Sequence, residues 1–234
     1  MKITKLDFVE GAKAARGIAV IIDVFRAFTT ACYAFDGGAE KIIPAGSADS
    51  ALSYHPENRD VLRVGERHGQ KLAGFDFGNS PTEILKGDVR GKTIVQTTHS
   101  GTQGMVNADG ADMILTGALV NARATANYIL EQRPTEVSLV RMGWTANTRT
   151  GEDDICAEYL EALLTGQPFD TESLRDTLYN DPCADRFKDP QQPWSPMEDF
   201  ELCCQADQFD FALRLNRDVK FPYLQQVKSS SIQS

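Results

Sequence analysis

Several apolar runs in the 234-residue chain are followed directly by side chains able to do chemistry. "VIIDVFRAFTT" ends an aliphatic run in Asp23 and continues through Arg26, Thr29 and Thr30, while "RVGER" presents Glu66 and Arg67. "IVQTTHSGT" presents Thr97 and Thr98, then Ser100, Gly101 and Thr102; "LVRMGW" leads through a threonine-rich loop to Glu152, Asp153 and Asp154. Together these types suit phosphate chemistry. A phosphate ester needs donors for its oxygens, which arginine, hydroxyls and helix N-terminal amides supply, whereas magnesium needs carboxylate oxygens and keeps several waters.

Each piece also has a plainer reading. Ser80 in "NSPTEIL" and Ser100 in "HSGTQGMV" are placed to cap helices, with Glu83 and Gln103 at capping-box spacing. Glu152 to Asp154 would complement a helix dipole, and Asp23 with Arg26 would make an ordinary ion pair. Cys156 follows three acids, whose charge raises a thiol pKa, so packing is preferred to a nucleophilic role.

The elements that must position these residues are legible as short β-branched runs: "GIAVIIDV", "EKIIPA", "VLRVGE", "KTIVQTT", "DMILTGA" and "EVSLVRMG". Helix-compatible segments separate most of them, and the "MKITKLDFV" strand would pair at an edge. The spacing predicts an α/β fold, a mostly parallel sheet with flanking helices, plus a helical or loop-rich C-terminal region. Residues 1–166 would form the catalytic core and 167–234 a C-terminal subdomain or cover. In that region "MEDFELCCQADQFDFALRLNRD" reads as helix and "KSSSIQS" as a frayed tail. In an open sheet the ligand lies beyond the strands' carboxyl ends, so polar chemistry is expected at one end.

Composition narrows the partners. Acidic residues outnumber basic ones 33 to 24, a net charge of -9 that disfavours nucleic acid and anionic membrane. No run approaches a membrane span, and the start lacks the apolar core of a secretory signal, so a cytoplasmic protein is expected. A homo-oligomer is left open. The five cysteines and three histidines lack zinc-ligand spacing.

In their order and spacing, "VIIDVFRAFTT", "VGERHGQKLAGFDFGNSP", "TTHSGT" and "GEDDICAEYLEAL" resemble the 2-phosphosulfolactate phosphatase family over about Val20 to Leu164. The resemblance implies a magnesium-dependent hydrolase on an α/β fold, removing phosphate from 2-phospho-3-sulfolactate in a route towards coenzyme M. Carried over, it nominates Asp23, Arg26, Thr29, Thr30, Glu66, Arg67, Asp76, Asn79, Ser80, Thr97, Thr98, His99, Ser100, Gly101, Thr102 and Glu152 to Asp154. Asp23, Arg26, Glu66 and Asp153 would be catalytic. Mg2+ would draw ligands from Asp23, Glu66, Asp76, Asp153 and Asp154, and the arginines and the Thr97–Thr102 loop would bind the small anionic phosphorylated substrate. Where the family commonly reads "TTTNGT", this chain has His99 and Ser100, a change that bears on substrate selection.

Metal-assisted attack by water on a phosphomonoester is the leading mechanism, with Asp23 or Asp153 as activating carboxylate. A covalent aspartyl-phosphate route of the haloacid-dehalogenase type is disfavoured, because the second aspartate expected two positions after Asp23 is Phe25. The alternatives are a phosphatase of another small phosphorylated carboxylate or sulfonate, and a non-catalytic protein that binds an anionic metabolite.

Overall fold

The structure is a computed structural model describing residues 1–55 and 60–230. The strands are β1 (Lys2–Asp7), β2 (Ile18–Ile22), β3 (Lys41–Pro44), β4 (Val61–Arg67), β5 (Gln70–Lys71), β6 (Thr93–Thr97), β7 (Met113–Gly117), β8 (Glu136–Arg141), β9 (Ala212–Asn216) and β10 (Tyr223–Val227). The helices are α1 (Phe8–Ala14), α2 (Ala27–Asp36), α3 (Ala48–Ser53), α4 (Pro81–Lys86), α5 (Gly101–Asn107), α6 (Ala122–Gln132), α7 (Gly151–Thr165), α8 (Leu174–Tyr179), α9 (Asp185–Lys188) and α10 (Met197–Cys203). All six β-branched runs are strands. The last four residues of the expected frayed tail, 231–234, lie outside the described residues.

The strands form one mixed sheet in the order β1-β8-β2-β7-β9-β10-β3-β6-β4-β5, with β1 at an edge as expected. Its middle is clad on both faces. Val20 and Ile22 pack into one hydrophobic cluster and Ile21 into the other, the period-2 alternation of a strand with no solvent side. Helix α2 is buried from Ala27 to Phe35, which suits a helix enclosed on every side.

The C-terminal region departs from expectation. Within "MEDFELCCQADQFDFALRLNRD" the helix stops at Cys203, and Ala212–Asn216 is a strand. Phe209, Phe211, Leu213 and Leu215 alternate into one core cluster, a strand pattern that helix spacing had masked. With β10 this strand makes an antiparallel hairpin between β7 and β3, so residues 167–234 supply part of the sheet as well as helices over it.

The hairpin also changes direction. β1, β8, β2 and β7 are mutually parallel, as are β3, β6 and β4, but three successive antiparallel pairings separate the groups. The two parallel groups therefore run in opposite senses, not towards one common edge. Their carboxyl-end loops nevertheless meet, through Gly101 N–H donating to Asp23 Oδ2 at 2.7 Å. Among the described residues no helix is long and apolar enough to cross a membrane.

Candidate active site

Asp23 follows β2 and is 6% exposed. Its Oδ1 accepts from Ala27 N at 3.2 Å and its Oδ2 from Gly101 N, so one carboxylate fixes the start of α2 against the start of α5. The Phe25–Arg26 peptide between them is cis. Burial pushes the Asp23 carboxyl up to about 6; the Ala27 and Gly101 amides oppose the shift and the nearby Glu66 charge adds to it. Glu66, at the end of β4, accepts from Gly69 N at 2.7 Å and from His99 N at 2.8 Å. Each carboxylate thus receives two backbone amides, leaving further lone pairs for a ligand.

Asp23, Glu66, Arg26, Asn79, His99 and Ser100 line one small cavity of about 20 Å3, roughly the space of a single water. Phe25 after β2, Gly143, Trp144 and Thr145 after β8, His68 and Gly69 after β4, and Arg186 on α9 complete it. The sequence singled out the β8 exit for the acids beyond it, but nominated neither Gly143, Trp144 and Thr145 nor Arg186 on α9. Trp144 and Arg186 gave no local signal, since their relation to the site is set by long-range packing. Arg186 stacks on Trp144 with 4.7 Å from guanidinium carbon to ring centroid, and its Nη2 donates to Phe25 O.

Arg26 differs from its expected role. Its Nη1 pairs with Asp199 Oδ2 at 2.7 Å and donates to Trp194 O, while Nη2 donates to Gly69 O. The other Asp199 oxygen accepts from Ser80 Oγ and Thr82 N. The plainer reading of an Asp23–Arg26 pair is not met either, since Arg26 pairs with the C-terminal region and borders the cavity mainly as an anchor. Ser80 caps α4 through Glu83 N as well as holding Asp199. Ser100 makes no side-chain cap to α5; its Oγ accepts from Ala146 N at 2.9 Å and ties the β6 and β8 exits together.

Asp153 lies beside the cavity wall, 1% exposed. Its oxygens accept from Val24 N and Gly143 N, so it braces the β2 and β8 exits. Burial, then the charges of Glu152 and Asp23, hold its carboxyl well above the usual range. Burial likewise raises Glu152 to about 7, with Arg186 opposing. Glu152 Oε2 is buried without a hydrogen-bond partner.

Asp153 is thus one of three expected metal ligands that do not line the cavity, and the other two, Asp76 and Asp154, sit elsewhere. Asp76 is exposed and accepts from Arg63 N, being consumed in the turn after β4. Asp154 is paired with Arg141 and Arg149, its position being turned about 100° around α7 from that of Asp153. Among the hydroxyls, Thr29 donates to Val24 O, Thr98 and Thr102 bond each other's backbone, and Thr97 accepts from Arg67 Nη2. Thr30 is buried within α2. These residues support the loops and do not line the cavity. Burial raises the Cys156 pKa, in keeping with a packed thiol.

Among the described residues no three His, Cys, Asp or Glu side chains converge to hold a metal alone. Asp23 and Glu66 share the cavity, and that two-carboxylate set fits an ion that completes its shell with waters and substrate phosphate.

The sequence matches the family profile described as 2-phosphosulpholactate phosphatase over residues 5–218. The chain belongs to this family. A probable 2-phosphosulfolactate phosphatase of Bacillus subtilis (strain 168) is 30% identical over 214 residues, 90% of this chain and 92% of that protein. One from Synechococcus sp. (strain RCC307) is 41% identical over 167 residues, 70% and 66% of the two chains. One from Clostridium acetobutylicum is 34% identical over 159 residues, 68% and 67%. A 2-phosphosulfolactate phosphatase is by its reaction a phosphoric monoester hydrolase, the class to which the sequence motifs point.

For this phosphatase-family site the Asp23–Gly101 contact admits a direct test. A Cβ on Gly101 would stand 2.8 Å from Asp23 Oδ2 and 2.9 Å from Ala27 Cβ. Gly101→Ala is expected to displace the carboxylate and lower kcat by about 10- to 100-fold. Steady-state kinetics on a folded variant check this, and unchanged kcat would show that the position of Asp23 is not critical.

Proposed function

We propose that the chain is a magnesium-dependent phosphatase that hydrolyses 2-phospho-3-sulfolactate, or a related small phosphorylated sulfonate or carboxylate, to inorganic phosphate. The observation carrying this reading is the meeting of Asp23 and Glu66, from strand groups of opposite sense, at one cavity closed by the His99–Gly101 loop. A cytoplasmic setting and a place in a route towards coenzyme M belong to the same reading.

Asp23 and Glu66 would hold Mg2+, which when bound would polarise the phosphoryl group and stabilise the leaving oxygen. The chain's own residues set the geometry. Gly69, His99, Gly101 and Ala27 amides orient the two carboxylates, while Asp153 braces the β2 exit from behind. Asn79 and Ser100 stand on the same wall as polar partners for phosphoryl oxygens. Water attacks phosphorus, the bond to the ester oxygen breaks, and that oxygen leaves as the sulfolactate hydroxyl after gaining a proton. Asp153 is less suited to activate the water than Asp23, because Asp23 lines the cavity and Asp153 does not reach it.

Phosphate release from 2-phosphosulfolactate, measured before and after chelation and again with Mg2+ restored, tests the proposal. Activity should vanish and return. Release that survives chelation would refute the magnesium dependence. No release from any ester, with saturable sulfolactate binding, would favour a metabolite-binding protein instead.

A further inference from the structure

A second cavity, of about 600 Å3, adjoins the small one. It is lined by Thr148, Arg149, Glu152, Cys183 and Gln192 among others, and Trp144 and Arg186 are the side chains common to both linings. The small cavity holds about one water, so a multiply charged ester with its phosphoryl group at Asp23 and Glu66 must extend towards this shared wall.

The cations around the two cavities are not equally free. Arg26 is committed to Asp199, Arg67 to Glu66 O and Thr97 Oγ1, and Arg149 to Asp154. Arg186 has no carboxylate partner at ion-pair distance among the described residues. One Nη2 proton goes to Phe25 O at 2.5 Å, and its Nε is buried without a partner. Stacking between Trp144 and Phe187 holds the guanidinium plane. Desolvation and then the nearby Arg26 charge lower its pKa, against the opposing charges of Glu152 and Asp23.

We infer that Arg186 is the specificity residue of this site, binding the substrate's sulfonate through its free N–H groups. The inference rests on the proposed phosphatase function. In phosphosulfolactate the sulfonate lies one bond further from the phosphoryl group than the carboxylate, so it is the group that reaches the shared wall. A planar guanidinium offers two parallel donors to a tetrahedral oxyanion, which a lysine does not.

The test compares 2-phosphosulfolactate with 2-phospholactate, its analogue without the sulfonate, as substrates of wild type and Arg186→Gln. The wild-type preference for the sulfonated ester, as kcat/KM, should fall about 10- to 100-fold in the variant, chiefly through KM. Equal losses on both esters would overturn the inference, since a phosphoryl contact or a merely structural role affects both alike. No loss on either overturns it too. Should Arg186→Gln fail to fold, Arg186→Lys carries the same ratio test with charge retained and the fork lost. Calorimetric titration with sulfolactate and lactate separates this from the parent reading. Sulfolactate binding that depends on Arg186 in a protein without turnover would sink the phosphatase function and leave the subsite standing. Sulfolactate binding no tighter than lactate in wild type would sink the subsite.

Discussion

Asp23→Asn should reduce kcat by about a thousandfold, the scale on which a single catalytic or metal-holding carboxylate acts. The argument is positional. Asp23 reaches the cavity from a fully buried strand, and two amides fix both oxygens. Asparagine keeps the shape but offers an NH2 group where one amide expects an acceptor, at a cost of about 1–3 kcal/mol. Removing a buried charge offsets part of that, because burial already disfavours the ionised form. The variant should therefore fold with a modest change in thermal midpoint and almost no turnover. A folded Asp23→Asn enzyme with near-normal phosphate release would take this carboxylate out of the chemistry.

The second large effect is on stability. Arg26 and Asp199 are 2% and 0% exposed at the side chain, and Asp199 also serves Ser80 and Thr82. Asp199→Ala leaves a buried guanidinium without its anion and should cost about 3–5 kcal/mol, read as a shift in the urea midpoint. Arg26→Ala should destabilise similarly, and the double replacement Arg26→Met with Asp199→Leu should recover part of the loss. The sequence alone made Arg26 chiefly a phosphate contact. An Arg26→Ala protein that unfolds at the wild-type urea concentration, with only KM raised, would restore that view and count against the anchor.

What could be read from the sequence follows the range of the interactions. The six strands, the Ser80–Pro81 helix start and the α7 stop at Gly166 are local patterns, and each is present. Asp23, Glu66 and the 99–101 loop were reachable because strand exits deliver them. The Ser100–Gln103 box failed because Ala146 N claims the serine and Gly46 O claims the glutamine. Partners far apart in sequence left no mark: Asp199 is 173 positions from Arg26, and Arg186 is 161 from the Phe25 carbonyl it binds. The acids of "GEDD" point in different directions around a helical turn, so one sequence run serves a brace, a glutamate with one unpartnered oxygen and a surface ion pair. The β9 strand was misread because Phe200, Cys203 and Cys204 lent a helical rhythm to a stretch whose later half alternates.

The β9–β10 hairpin also sets the order of events at the ribosome. By the time Arg141 has emerged, every other strand of the sheet exists, yet among the described residues no backbone pairing joins the group holding Asp23 to the group holding Glu66. A nascent protein that paired its strands as they emerged would carry two open β edges, those of β7 and β3, through the synthesis of about seventy further residues, an interval in which such edges invite mispairing and chaperone capture. Competence for chemistry would then arrive late and all at once, when the hairpin docks between them.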